Sequence, residues 1–248
     1  MNTLNTLPNT PCHLNGLTLP LNEAKVSVLD RGFIFGDGIY EVAPVYQGKL
    51  FRFEQHMARM ARSLAELRIP NPHTETGWRA LIQDLLQQHA QSLGQSIGEL
   101  NQIVYIQITR GVAPRDHAMP SGLTPTVFVM VNEMKPIATK DRDNGVACIS
   151  AEDFRWEKAH IKSTSLLGAV FSRQISADVG ALETVMFRHG FLSEAAASNV
   201  WVVKNGQLLG APKDNLVLEG IRYGLIEELC QQQGIGFALR RISRAEVL

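Results

Sequence analysis

The chain is short of cysteine, of net charge and of long apolar runs, and each shortage closes off a class of function. Three cysteines occur among 248 residues, Cys12, Cys148 and Cys230, far apart and without CxxC spacing. Neither a zinc site nor a disulfide framework is indicated, and an odd, sparse count suits a reducing cytoplasm. Lys plus Arg and Asp plus Glu both total 24. That balance gives no reason to expect nucleic acid or an anionic membrane as partner, so partners are expected among small molecules and proteins. No apolar run reaches bilayer-spanning length. Met1 to Thr10 carries no basic residue ahead of an apolar stretch and does not read as a signal peptide; residues 1–12 are expected to form a flexible tail. What the chain does have is apolar material for a large core, 45% against 19% charged residues. Its length corresponds to one or two domains at about 150 residues each.

Residues 13–18 and 25–29 read as short strands, followed by a glycine-dense loop, Arg31 to Gly38. Val42–Tyr46 and Leu50–Phe53 flank Gln47-Gly48 as a hairpin. Two amphipathic helices follow, one with Phe53, Met57, Met60, Leu64 and Leu67 on a stripe, the other with Trp78, Leu81, Ile82, Leu85, Leu86 and His89. Ile103–Thr109 and Thr126–Val131 are strands joined by a proline-bearing loop. Polar residues with one proline mark 134–143 as a linker between an N-terminal domain, 13–133, and a C-terminal domain, 144–248. The second domain reads as strand 146–149, helix 166–177, strands 183–187 and 200–203, a type I′ turn at Asn205-Gly206, a helix opened by Gly220, and a last strand 237–239. Helices set between strands make this an α/β (α+β) chain.

Four constellations carry chemistry. Lys162 lies between an apolar residue and a run of small hydroxyl residues, Ser163-Thr164-Ser165, just before a helix. Schiff-base chemistry needs a lysine on a rigid element in an anion-binding neighbourhood; taken alone, a solvated loop lysine is the commoner explanation. Glu194 is followed by three alanines, which let a flat ligand approach, and a carboxylate beside a pyridine nitrogen keeps that nitrogen protonated; the plainer alternative is a helix N-cap or turn acid. Gly220-Ile221 at a helix start favours an anion, and Arg59 on the flank of the first amphipathic helix is placed to reach a buried phosphate, although a solvated helix arginine is the usual case. In Pro114-Arg115-Asp116-His117, residues two apart in an extended loop point the same way. Arg115 and His117 then converge on one carboxylate, against the simpler picture of a mobile surface loop.

No one of these is specific, but their order and wording are. Arg31-Gly32-Phe33-Ile34-Phe35-Gly36-Asp37-Gly38-Ile39-Tyr40-Glu41, Glu54-Gln55-His56-Met57-Ala58-Arg59-Met60, the Lys162 segment, Glu194 with Ser198-Asn199, and Leu218-Glu219-Gly220-Ile221 together resemble class IV aminotransferases, which use pyridoxal 5'-phosphate. The resemblance runs from about residue 13 to the last residue. It implies a two-domain fold type IV enzyme with a small N-terminal α/β domain and a larger C-terminal pseudo-barrel domain. It also implies that Lys162 holds the cofactor and moves protons, and that Glu194 faces the ring nitrogen. Arg59, Gly220, Ile221 and Arg222 would meet the phosphate, Leu218 would pack on the ring, and Arg155, Ser198 and Asn199 would belong to the cofactor pocket. Pro114 to His117 is similar to the D-amino-acid aminotransferases. There a partner subunit's arginine and histidine join a tyrosine on the substrate carboxylate, which implies that Tyr40, Arg115 and His117 form the trap in a homodimer.

The implied reaction is ping-pong transfer between a D-amino acid and a 2-oxo acid, as from D-alanine to 2-oxoglutarate. The alternatives are a branched-chain aminotransferase or aminodeoxychorismate lyase subtype, or a non-catalytic homologue that only binds the cofactor. Two departures stand out. Arg222 occupies a position where the family has a phosphate-binding threonine. The family pattern also continues beyond the place of Leu248 with a strand, a Ser/Thr loop and a closing helix, so the C-terminal end is expected to be truncated.

Overall fold

The computed structural model describes residues 8–248, and the first seven residues of the expected tail lie outside them. The described chain divides into two compact units. The first takes in the chain up to Pro136 together with Lys162–Ser165; the second comprises Ile137–Ile161 and Leu166–Leu248.

The first unit is a six-stranded sheet of order β2-β1-β6-β5-β3-β4, built from β1 (Pro11–Leu14), β2 (Leu17–Pro20), β3 (Gly38–Tyr46), β4 (Lys49–Leu50), β5 (Asn101–Thr109) and β6 (Thr126–Glu133), with every pairing antiparallel. Strand alternation sorts its residues into two faces. Ile39, Glu41, Ala43 and Val45 on β3, Val104, Ile106 and Ile108 on β5, and Val127, Val129 and Val131 on β6 are buried, beneath α2 (Phe53–Glu66) and α3 (Glu75–Ser92), which pack on β3 and on β1 and β6. Both helices bury the stripes their 3.6-residue periodicity requires. Phe53, Met60 and Leu64 lie beside Trp78, Ile82, Leu85 and Leu86 among the largest wholly buried side chains, each stabilising by about 1.5–3 kcal/mol. The opposite face carries Tyr40, Tyr105, Gln107 and Phe128 and is half-buried.

Several local expectations change. Residues 25–29, expected as a strand, form none and lead through a turn into Asp30. Pro11 and Cys12, taken as tail, pair with Pro20 and Leu19 in β1 and β2. Arg31–Phe35 is not loop but a short helix, α1, because the Asp30 carboxylate caps it by accepting from the Gly32 N–H at 2.8 Å and Gly36 closes it with φ of 66°. Phe53 opens α2 instead of ending a strand.

The second unit contains two three-stranded sheets. One has the order β7-β8-β9, from β7 (Cys148–Glu152), β8 (Glu183–Arg188) and β9 (Phe191–Ala195); the other has the order β10-β11-β12, from β10 (Trp201–Lys204), β11 (Gln207–Gly210) and β12 (Gly236–Leu239). A short helix, α4 (Thr139–Asn144), occupies the second half of the expected linker. Helix α5 (Leu167–Asp178) packs on β7 and β8, α6 (Arg222–Gln233) packs on β12, and α7 (Arg244–Val247) packs on β9. Strand β9 was missed in the sequence because its buried stretch, Leu192 to Ala195, does not alternate. Val185 pairs with Ala195 and Phe187 with Leu192, so Met186 faces two residues, Ser193 and Glu194. Such a bulge turns consecutive side chains inward.

Candidate active site

In the first unit, Lys162 is not a solvated loop residue. Its segment lies along the free edge of β3. The Tyr40 N–H donates to Lys162 O at 2.9 Å, the Thr164 N–H donates to Gly38 O at 2.9 Å, and Ser163 bridges Ile39. The Lys162 N–H reaches Ser63 Oγ on α2 at 3.3 Å, and the Thr164 and Ser165 hydroxyls donate to Gly36 O. This fixes the backbone and places the Lys162 Nζ 4.1 Å from the centroid of the Tyr40 ring. Tyr40 in turn stacks on Tyr105 at 5.9 Å, whose hydroxyl burial pushes up to about 12.

Arg59 lies under the other face of β3. Its Nε donates to Glu41 Oε2 at 3.0 Å and its Nη2 donates to Glu41 Oε1, while His56 Nδ1 is 2.9 Å from Oε1. Glu41 is wholly buried. Burial alone would raise its pKa, but the hydrogen bonds and charges of His56 and Arg59 outweigh it and hold the carboxyl at about 2.

Arg115 and His117 are exposed, and both lie against the ring of Phe35. The Arg115 guanidinium is 5.5 Å from the Phe35 ring centroid and the His117 ring is 5.4 Å from it, with Arg31 at 4.7 Å from the same ring. The loop is tied down by Arg31 Nη1, which donates to Asp116 O at 2.6 Å. The Arg31 and Arg110 guanidiniums share Asp37, both Nε atoms lying 2.7 Å from Oδ2, and hold its carboxyl below the usual range against the opposing effect of burial.

In the second unit, Arg155, Glu194, Asn199, Leu218 and Gly220 are brought together. Buried Glu194 accepts from Arg155 Nη1 at 2.7 Å on Oε1, and from Asn199 Nδ2 at 3.0 Å and the Leu218 N–H at 3.3 Å on Oε2. It is a strand residue, neither N-cap nor turn. Burial pushes its carboxyl upward, and the Arg155 charge opposes this only in part. Asn199 also donates to Leu218 O at 2.9 Å. A Cβ at Gly220 would meet Asn199 Oδ1 at 2.1 Å, so only glycine allows this approach. Ser198 points elsewhere, its hydroxyl donating to Glu183 Oε2 at 3.0 Å. Helix α6 begins one residue later than expected, with Ile221 as its N-cap, Arg222 exposed in its first turn and no acid in that turn.

The donor chemistry fits a phosphorylated pyridine aldehyde in each unit taken by itself. The first offers an amine on a fixed backbone and the second a buried carboxylate beside the buried Ala195 and Ala196, with a helix start free of acids. Sequence reasoning missed Glu41, Asp37, Phe35 and Asp153. The first three stand inside the quoted motif, and their acid and aromatic character was the only available signal.

The architecture is that of the fold IV transaminases. It superimposes on a fold IV transaminase from Curtobacterium pusillum with a TM-score of 0.80 at 22% identity, covering 93% of this chain and 78% of that one. It also superimposes on the PLP-bound form of a hypothetical aminotransferase from Mycobacterium tuberculosis, with a TM-score of 0.80 at 20% identity, covering 96% and 84%. The class IV amino-transferase family model matches residues 38–248, and the chain belongs to that family of pyridoxal-phosphate enzymes. Among curated relatives it is 34% identical over 235 residues to the D-alanine aminotransferase of Bacillus licheniformis, 94% of this chain and 80% of that protein. It is likewise 34% identical over 229 residues to that of Staphylococcus haemolyticus, 92% and 78%.

Proposed function

We propose that the protein is a D-amino-acid aminotransferase that moves an amino group from a D-amino acid such as D-alanine to a 2-oxo acid such as 2-oxoglutarate. The observation that carries the reading is the pairing of Arg115 and His117 on Phe35, within a chain 34% identical to D-alanine aminotransferases. A forked guanidinium and an imidazole on one platform form a two-point receptor for a carboxylate. Being exposed on a tethered loop, they are suited to serve a partner's site in a homodimer, with Tyr40 completing the trap there.

When bound, pyridoxal phosphate supplies an aldehyde that exchanges its link between the lysine and the substrate amine, and a ring that takes up the electron pair left at Cα. Lys162 would hold the cofactor through its Nζ, and that amine, once freed by the substrate, would serve as the base and acid that moves the substrate's Cα proton. Glu194, buried beside the Arg155 guanidinium, would face the ring nitrogen and keep a proton on it. The family resemblance implies that Arg59 would meet the phosphate; at the start of α6 the backbone N–H groups of Ile221 and Arg222 would suit an anion, with Gly220 allowing the approach, and exposed Arg222 would add a cation where the family has a hydroxyl. Leu218 packs on the ring, and Asn199 orients Glu194. Ser198 contributes through Glu183 and the turn. Carboxylate capture on one side selects which face of Cα meets Lys162, and hence D over L. The two half-reactions give ping-pong kinetics. The sparse cysteines suit a reducing cytoplasm as the site of action; among the described residues no helix is long and apolar enough to cross a membrane.

The test is a panel of D- and L-amino acids against pyruvate and 2-oxoglutarate, with Arg115→Ala in parallel. D-Alanine plus 2-oxoglutarate should yield pyruvate in the wild type and far less in the variant. Turnover of L-valine or L-leucine in preference, unaffected by the substitution, would replace this reading with the branched-chain one.

A further inference from the structure

Asp153 follows β7 directly, and its N–H donates to Phe187 O at 2.7 Å. It is buried and carries five contacts. Arg155 Nε donates to Oδ1 and Nη2 to Oδ2, both at 2.9 Å, and the Arg155 N–H donates to Oδ1 at 3.1 Å. The Ser193 hydroxyl donates to Oδ2 at 2.9 Å, and Arg188 Nη2 lies 3.3 Å from Oδ1. The third nitrogen of Arg155, Nη1, donates to Glu194. One guanidinium is thus gripped along two of its nitrogens by Asp153 and presents the third to Glu194. The bulge in β9 makes the arrangement possible, because Ser193 and its neighbour Glu194 both turn inward, the serine to Asp153 and the glutamate to Arg155. Arg188 donates to Arg155 O at 2.8 Å and backs the cluster. The charges balance, two carboxylates against two guanidiniums. Asp153 takes up much of the Arg155 charge, so Glu194 is not fully neutralised by it, and its Oε2 edge is oriented by Asn199 and the Leu218 N–H.

We propose that Asp153 is a positioning residue for the cofactor's ring nitrogen. It holds Arg155 in one pose and shares its charge, so that Glu194 stays a fixed acceptor whose negative potential is only partly offset by the arginine. The inference rests on the reading that Glu194 faces that nitrogen. Without Asp153, Arg155 is undivided and collapses onto Glu194. The negative potential offered to the ring then falls, and the nitrogen holds its proton less tightly.

The experiment uses full-length protein reconstituted with pyridoxal phosphate labelled with ¹⁵N in the ring, in wild type, Asp153→Asn and Glu194→Gln. The readouts are the ring-nitrogen chemical shift, the cofactor dissociation constant from absorbance titration, and the apoprotein melting temperature. Asp153→Asn should move the nitrogen signal toward that of neutral pyridine and weaken cofactor binding about tenfold or more, as removal of groups that orient a binding side chain commonly does. Glu194→Gln should shift the signal at least as far. A shift in Glu194→Gln with none in Asp153→Asn overturns the proposal and leaves the Glu194 reading standing. Silence in both overturns that reading and the proposal with it. Weaker binding or a lower melting temperature in Asp153→Asn with an unmoved nitrogen signal assigns Asp153 a structural role only and also overturns it. If Asp153→Asn does not fold, Arg155→Lys keeps the cation but loses the fork. It must then give the same shift, and an unchanged signal there refutes the proposal.

Discussion

Replacing Glu41 by Gln keeps the outline of a wholly buried side chain but removes the charge that Arg59 and His56 share. Its carboxyl is held at about 2 from an ordinary 4.5. At about 1.36 kcal/mol per unit, that depression corresponds to about 3 kcal/mol of stability at neutral pH, and removing one member of a buried ion pair costs about 3–5 kcal/mol by itself. The two routes agree on a loss of about 3 kcal/mol. The folded-state value lies below the unfolded one, so the contribution is complete above about pH 4.5 and drains away as pH falls toward 2. Urea unfolding of the apoprotein reads this directly. With Trp156 and Trp201 changed to Phe, Trp78, wholly buried in the same unit as Glu41, is the only tryptophan left to report. Glu41→Gln should lower the midpoint by roughly 1–2 M at pH 7, taking about 2 kcal/mol per molar for the slope, and by roughly half that at pH 3. A midpoint unchanged at pH 7, or a difference as large at pH 3 as at pH 7, would refute the assignment of the ion pair.

Three further outcomes follow from the site. Arg115→Ala should cost about 2–5 kcal/mol in kcat/KM for D-alanine while leaving cofactor affinity unchanged, and equal loss with a donor lacking the carboxylate would contradict the trap. Phe35→Ala removes the ring beneath Arg115 and Arg31. A cation–π contact of about 0.5–1 kcal/mol predicts a two- to fivefold rise in KM for the donor with kcat steady, so a fall confined to kcat speaks against positioning of the loop. Gly36→Ala puts a side chain at φ of 66°, 2.7 Å from Ser165 Oγ and 3.1 Å from Ser165 Cα. Strain of about 1–2 kcal/mol should lower the melting temperature by several degrees and slow borohydride fixation of the cofactor on Lys162, and an unaltered rate would separate the turn from the lysine segment.

Much of the fold was legible because its signals are local. The two helical stripes of α2 and α3 and the alternation of β5 and β6 are written in apolar spacing. The Asp30 cap was equally local but was hidden by the glycines that follow it. What stayed illegible depends on register. Nothing in Leu192 to Ala195 announces a bulge opposite Met186, so Glu194 read as a turn acid although it is a strand residue. The site residues surfaced through motif wording; by chemistry alone, Lys162 and Arg59 looked like surface residues. The partners that define them, Tyr40 for the lysine and Glu41 for the arginine, are adjacent in the chain yet point to opposite faces of β3. Strand alternation predicts that split once β3 is known to start at Gly38, the last residue of the stretch that reads as loop.

The four residues from Lys162 to Ser165 belong with the first unit although both their flanks belong with the second. No single cut therefore yields two self-sufficient pieces. A fragment ending at Pro136 would lose the chain that covers the outer edge of Gly38 to Tyr40, leaving the Tyr40 N–H and Gly38 carbonyl open to any extended peptide that offers the matching groups. A fragment spanning 137–248 would carry Lys162 on a tether instead of a strand edge. Limited proteolysis between the units should thus release paired halves that stay together, and separately expressed halves should aggregate or recombine.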